Sequence, residues 1–399
     1  MSLIDQLPSQ QRQNRAAEAK STARSRSGIA LLWPVALTLL AVPGALWSYA
    51  ASAHFTRISD FIDIGHNFAK PMGIDPLSIA YWGYDGQFYY AMARFPFWAP
   101  PGSFDGTAER YSRMLYPALI RAFSFGSAPL MPWMMLLINL LAIGGAVALV
   151  GWLLRERGLP IWLALVPGFY AGQALGMMRD LTDPLSVFWL ALALVGLQRR
   201  RWLLTAAALS LSLLTRETAL PFIACFAVPL LVERRWRVFA AYVVIIFAPY
   251  LAWQTILYRW QGHWGLYDTL SSNGLLHVPF AGLVAAPDTR TLIQFTIFAC
   301  IPAVAGVVGG LLALAERPWH DPLRLAAALS ALAYGAAFTL QPQGHWLDIW
   351  APMRLAAPLA VLLPLLATPR WLRYGVWQAL MALLIFSFTI ALAPAPAPI

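Results

Sequence analysis

Cysteine, charge and strand-like alternation are all scarce in this chain. Its 399 residues hold two cysteines, Cys225 and Cys300, both inside apolar runs. That excludes a disulfide framework and reads as two small core residues. No Cys/His cluster has the spacing of a zinc site. Charged residues make up 12% of the chain, about half the roughly 25% of a soluble domain. So little charge cannot keep this much apolar surface in water. Alternation of apolar and polar residues over about ten positions, the mark of a membrane barrel, is absent. So is any internal repeat at a period of about 20–50 residues, and no inverted repeat stands out.

Hydrophobic residues reach 59% of the chain, and the mean hydropathy is +0.61. They fall in runs of roughly 20, the length that crosses a bilayer as helix. Eighteen Trp and 14 Tyr suit two membrane–water interfaces, where amphipathic rings settle. The net charge is +10 and the isoelectric point near 9.9. In a soluble protein that balance would suggest nucleic acid. Here the charge is mostly Arg in short loops between apolar runs, which points to membrane orientation and not to a nucleic-acid partner.

The fold class expected is an all-α polytopic membrane protein. Residues 1–28 read as a disordered cytoplasmic tail and 394–399 as an extended Pro/Ala tail. Between them, 29–393 read as one transmembrane domain. The first span covers 29–51. Its end resembles a signal-peptidase site, but the apolar run is too long for a cleaved signal, so an uncleaved anchor is expected. Ten further spans follow at 128–154, 159–176, 184–198, 203–215, 219–232, 238–258, 291–315, 325–340, 354–368 and 374–393. Residues 114–126 read as an interfacial helix. With the tail inside, each even-numbered span ends in an Arg-bearing loop: Arg155/Arg157, Arg199 to Arg201, Arg234/Arg235/Arg237, Arg317/Arg324 and Arg370/Arg373. The outer segments come out close to neutral. Two of them are long, 52–127 and 259–290, and the first is too apolar and short to form a domain of its own.

The outer side collects short polar motifs at span ends. Tyr84-Asp85-Gly86-Gln87-Phe88-Tyr89-Tyr90 lies in the first loop, with Asp60 and Asp63 just past the first span. Arg179-Asp180-Leu181-Thr182-Asp183-Pro184 precedes span four, and Arg216-Glu217 separates spans five and six. His345, Asp348 and Arg354 lie between spans nine and ten. Spans four to six are too short for the ~30 Å of hydrocarbon, and Arg-rich loops pin their inner ends. Arg179/Asp180 and Arg216/Glu217 therefore belong below the outer surface, where charge needs partners or a wet cavity. Adjacent residues on a helix do not face each other, so each of these four seeks its partner elsewhere. Arginine forks suit a phosphate, and a carboxylate suits removal of a hydroxyl proton. Plainer roles compete. Asp85-Gly86 can be a turn, Asp183 or Thr182 a helix cap, Asp60/Asp63 a solvated helix end. The Arg/acid pairs can be structural ion pairs, and Tyr89, Tyr90, Trp346 and Trp350 interface aromatics.

This architecture resembles the GT-C superfamily of integral membrane glycosyltransferases. The Tyr84–Tyr90 segment, with Arg110-Tyr111-Ser112-Arg113-Met114-Leu115-Tyr116-Pro117 after it, resembles bacterial members implicated in cell-surface glycopolymer formation. The resemblance implies a polyprenyl-phosphate sugar donor, a glycan or lipid acceptor on the periplasmic face of the inner membrane, and a first-loop carboxylate as general base. Asp85 matches that position. Relatives carry two adjacent acids there, whereas Asp85 is followed by Gly86, so Asp60 and Asp63 stay open as the base, and a divalent metal stays open too. Arg179, Arg216 and Arg354 are the expected phosphate ligands. Gln87, Tyr89, Asp180, Glu217, His345, Asp348 and His263 are the expected substrate contacts. A lipid-linked glycan flippase and a glycopolymer polymerase or ligase are the rival readings. A transporter places its charges near the midplane in both halves, and this chain places them at the outer ends of one half.

Overall fold

The computed structural model describes residues 32–74, 82–272, 278–286, 288–341, 343–348, 350–368, 371 and 375–391. Both expected tails lie outside these residues. The elements that matter run, in chain order, α1 Leu32–Ser52, α2 Gly86–Arg94, α3 Thr107–Tyr111, α4 Leu115–Phe123 and α5 Ala128–Glu156. Next come α6 Ile161–Phe169, α7 Ala171–Met178, α8 Asp183–Gln198, α9 Trp202–Thr215, α10 Leu220–Val232 and α11 Trp236–Gln261. The last six are α12 Thr289–Ala315, α13 Pro322–Thr339, α14 Gln343–Leu347, α15 Ala351–Leu355, α16 Ala357–Leu366 and α17 Val376–Phe386. Among the described residues no strand forms, and one isolated bridge joins Ile64 to Gly83. Among the described residues four helices, α1, α5, α11 and α12, are long and apolar enough to cross a bilayer, or five spans if α6 and α7 count as one.

Two expected spans are broken. Residues 159–176 form α6 and α7, which meet at 42°. Tyr170 is extended between them, with φ −74° and ψ 134°. Residues 354–368 begin as the short α15 and restart at α16 after Ala356. Prolines lie at the first turns of both segments, where a missing N–H costs nothing. Helix α12 contains a π-turn at Thr296–Cys300. Helices α8, α9 and α10 have 16, 14 and 13 residues, about 24, 21 and 20 Å at 1.5 Å per residue.

The turns on the arginine-rich side are tight. Arg200, Arg234 and Arg317 sit at φ 52°, 55° and 56°, in the left-handed region that glycine favours. The next N–H reaches back across each of the first two turns, Arg201 to the Gly196 carbonyl at 2.8 Å and Arg235 to that of Leu230 at 2.9 Å. This is the Schellman closure of a helix C-terminus. A non-glycine residue there costs about 1–2 kcal/mol, so positive charge is kept at these turns against the local backbone preference.

Most of the core lies between α5, α8, α9, α10, α12, α13 and α16. Helices α12 and α13 pack backbone to backbone. A Cβ on Gly310 would lie 2.6 Å from the Ala328 carbonyl oxygen, and one on Gly335 2.6 Å from that of Ala303. Small residues allow such approach in lipid, where apolar burial gives no advantage. Cys225 and Cys300 are buried free thiols in this core. The first loop has no separate core. Its Phe68, Phe88, Tyr111 and Tyr116 share one cluster with Met131 and Met135 of α5, Leu185 of α8 and Leu257 of α11. This shared core fixes α2, α3 and α4 over the ends of α7, α8 and α9.

Candidate active site

Asp85 immediately precedes α2, with φ −55° and ψ −27°. It sits in the turn that opens α2 and makes no side-chain cap bond, and Gly86 continues directly into helix. Gly86 is small for another reason. A Cβ there would lie 2.3 Å from the Arg179 carbonyl oxygen and 3.1 Å from that of Ile62. The start of α2 thus rests on the backbone at the end of α7.

Three chain regions bring charge to Asp85. Arg110 Nη1 lies 3.1 Å from its Oδ1 and Arg354 Nη2 3.4 Å from its Oδ2. Arg110 is held from behind by Asp105, at 2.7 Å and 2.9 Å, and over the Phe88 ring at 4.3 Å. Arg354 also donates to the Tyr84 hydroxyl, and that hydroxyl donates to Asp348 Oδ2 at 2.6 Å. Behind Arg354 stands Asp183, with Oδ2 3.6 Å from Arg354 Nε and Oδ1 paired with Arg216. Beside them Arg113 binds Glu217 at 3.0 Å, reaches Glu109 at 3.8 Å and donates to the Tyr89 hydroxyl at 3.4 Å. Tyr89 in turn meets Thr182 Oγ1 at 3.4 Å. Burial raises the affinity of Asp85 for a proton. Arg110, Arg354, Arg113 and Arg216 together outweigh it and hold the carboxyl well below the usual carboxylate range.

Asp85 is 27% exposed, against 6% for Asp183 and 8% for Glu217. Solvent therefore reaches Asp85, while the deeper acids are sealed by their arginines. The site has an open floor at Asp85 and a closed ionic frame around it.

Several expected site residues do other work. Asp60 and Asp63 do not share a helix face. Asp60 Oδ2 accepts the N–H groups of Thr56 and Arg57 at 2.7 Å and 2.9 Å, as a solvated helix-start cap. Asp63 turns into the left-handed region at φ 57°, ending that helix, and pairs with Arg179 at 3.2 Å. Arg179 also meets Tyr49 at 3.2 Å and the Trp350 ring at 4.4 Å, while its buried Nε has no partner. It ties α1, the first loop and the start of α15 together. Gln87 is also spoken for, since its Oε1 accepts from Gly65 N–H at 3.0 Å and its Nε2 donates to the Trp82 carbonyl at 2.7 Å. Asp180 is fully buried at φ 53°, and neither carboxylate oxygen meets a hydrogen-bond partner. It does not line the Asp85 surface. His263 is exposed in the turn after α11 and makes none of the contacts above. Asp183 caps nothing, because no side-chain cap is made at the start of α8 and its carboxylate belongs to Arg216 and Arg354.

The remaining expectations converge. Arg216, Glu217, Tyr89, Arg354 and Asp348 all join the ionic frame. His345 stands near it, its Nδ1 2.5 Å from Gln341 Oε1. Burial, then Arg216 and Arg354, push its pKa down to about 4, against a smaller pull from Asp348, so the imidazole is neutral at pH 7. Arg110, Arg113 and Tyr84 are functional candidates that lie in the quoted motifs but carried no role there. Arg110 lies in the last turn of α3, and Arg113 lies two residues past its end. Among the described residues no three His, Cys, Asp or Glu side chains gather as a metal ligand set. Comparison of the chain with family models, with curated proteins and with solved structures returns no match.

Proposed function

We propose that this chain is a GT-C-type integral membrane glycosyltransferase. It moves a sugar from a polyprenyl-phosphate donor to a glycan or lipid acceptor on the periplasmic face of a bacterial inner membrane. The proposal takes the N-terminus as cytoplasmic and all eleven apolar segments as spans, the short α8 to α10 included. One observation carries it: a solvent-reachable carboxylate, Asp85, held by arginines from two loops about 240 residues apart.

The chemistry follows from that pairing. A donor phosphate draws Arg110 and Arg354 from Asp85 onto its own oxygens, since a fork matches phosphate as well as carboxylate. Asp85 loses the charges that depress its basicity and becomes a competent general base. It takes the proton of the acceptor hydroxyl while that oxygen bonds to the anomeric carbon. The bond from that carbon to the phosphate oxygen breaks, and polyprenyl phosphate leaves as an anion held by the two arginines. Asp183 and Glu217 keep Arg216 and Arg113 in place as fixed positive potential around the leaving group. The donor thus switches on its own base, and free Asp85 stays inert.

The test uses purified wild type and Asp85→Asn with equal melting temperatures, incubated with labelled polyprenyl-phosphate sugars and a cell-envelope acceptor fraction. Transfer should fall at least 100-fold in the variant, the lower end for loss of a general base. Undiminished transfer removes Asp85 from the mechanism. No transfer by wild type with any such donor removes the proposal.

A further inference from the structure

Far from the ionic frame, at the arginine-rich end of the helices, a cavity of about 600 Å³ opens between the starts of α9 and α11. Its rim is Arg201 and Arg237, and its floor is Trp202, Leu203, Leu204 and Val238. The rim charges differ from their neighbours. Glu233 is shared by Arg200 at 2.6 Å and Arg235 at 3.0 Å. Among the described residues no carboxylate pairs with Arg201 or Arg237. Both are exposed. Two unpaired guanidinium groups therefore stand over an apolar cleft. Leu203 is 65% exposed and Trp236, beside Arg237, is 62% exposed, as expected of side chains that meet lipid. Charge on the rim with hydrocarbon-compatible residues below is the inverse of an ordinary solvated surface, and it matches one kind of molecule.

We infer that this cleft binds an anionic glycerophospholipid of the cytoplasmic leaflet. The headgroup phosphate lies between Arg201 and Arg237, and an acyl chain follows Leu203, Leu204 and Val238 into the bilayer. Basic pockets between helices on the cytoplasmic side hold anionic headgroups in this way. Arg200, locked by Glu233 and by its contact with the His320 carbonyl at 3.4 Å, shapes the rim without supplying a free charge. A lipid bound there bridges α9 to α11. The inference depends on the membrane orientation and is independent of glycosyl transfer.

The experiment titrates phosphatidylglycerol, phosphatidylcholine and inorganic phosphate separately onto the purified full chain in neutral detergent, with binding followed by native mass spectrometry. Phosphatidylglycerol should bind the wild type and raise its melting temperature, and the other two should do neither. The Arg201→Gln, Arg237→Gln double variant should bind phosphatidylglycerol about thirtyfold more weakly, with an unchanged melting temperature in detergent alone. If the double variant does not fold, Arg237→Gln alone should show about a fivefold loss. Equal binding of both lipids, saturation by inorganic phosphate, or full affinity in the variants overturns the inference.

Discussion

The substitution Asp183→Asn separates an ionic frame from a helix cap. Asn has the volume of Asp and caps a helix as well, so a capping role predicts almost no change in stability. The structure predicts a large one. Asp183 is 6% exposed, and its two oxygens face Arg216 and Arg354, which are 9% and 5% exposed. Removing one partner of a buried pair costs about 3–5 kcal/mol, because the charge left behind is uncompensated. Arg354 keeps Asp85 and Tyr84, while among the described residues no second acid pairs with Arg216. The expected loss is therefore one full pair, about 3–4 kcal/mol. Reversible unfolding in mixed micelles measures it. A double-mutant cycle with Arg216→Gln should show a coupling of at least about 1.5 kcal/mol, since residues in one network do not add. A loss under about 1 kcal/mol with additive single variants would refute the buried frame and restore the cap.

Two further outcomes follow from the geometry. Gly86→Ala places a methyl 2.3 Å from the Arg179 carbonyl oxygen; backbone must move, at about 1–3 kcal/mol, and Asp85 moves with it. Transfer should fall more than stability alone accounts for, and a variant with normal rate and melting temperature contradicts the contact. His345 has a pKa of about 4 in the fold against 6.5 in the unfolded chain, so between those values the unfolded state binds the extra proton. Stability should fall as pH drops through that window and level off below it. His345→Gln should flatten this acid limb in melting curves, and an unchanged limb assigns it to other groups.

In the proposed mechanism, a carboxylate so strongly paired at rest serves as a base only after its arginines leave it. Its basicity is low while Arg110 and Arg354 face it and recovers when an anion takes them. The deeper acids have no such release. Asp183 and Glu217 are buried against Arg216 and Arg113, and in the proposed mechanism those pairs form the fixed field around Asp85.

What the sequence determined by itself is what depends on local composition. Apolar runs set where helices form, and the structure has one within nearly every run, from Ala128–Glu156 to Val376–Phe386. The deficit in length of α8 to α10 was equally legible, because it needs only residue counts and the rise of a helix. That Arg179, Arg216 and Glu217 would take distant partners followed from the angle between neighbours on a helix. Only the tertiary structure decided which partners. Arg113 meets Glu217 across 104 residues and Arg354 meets Asp85 across 269, and no periodicity encodes such pairs. Backbone details decided the rest. One left-handed residue at Asp63 separates it from Asp60, and one carbonyl at Arg179 makes Gly86 a packing residue and not a turn. Side chains act through their distances to one another, and those distances exist only once the helices are packed.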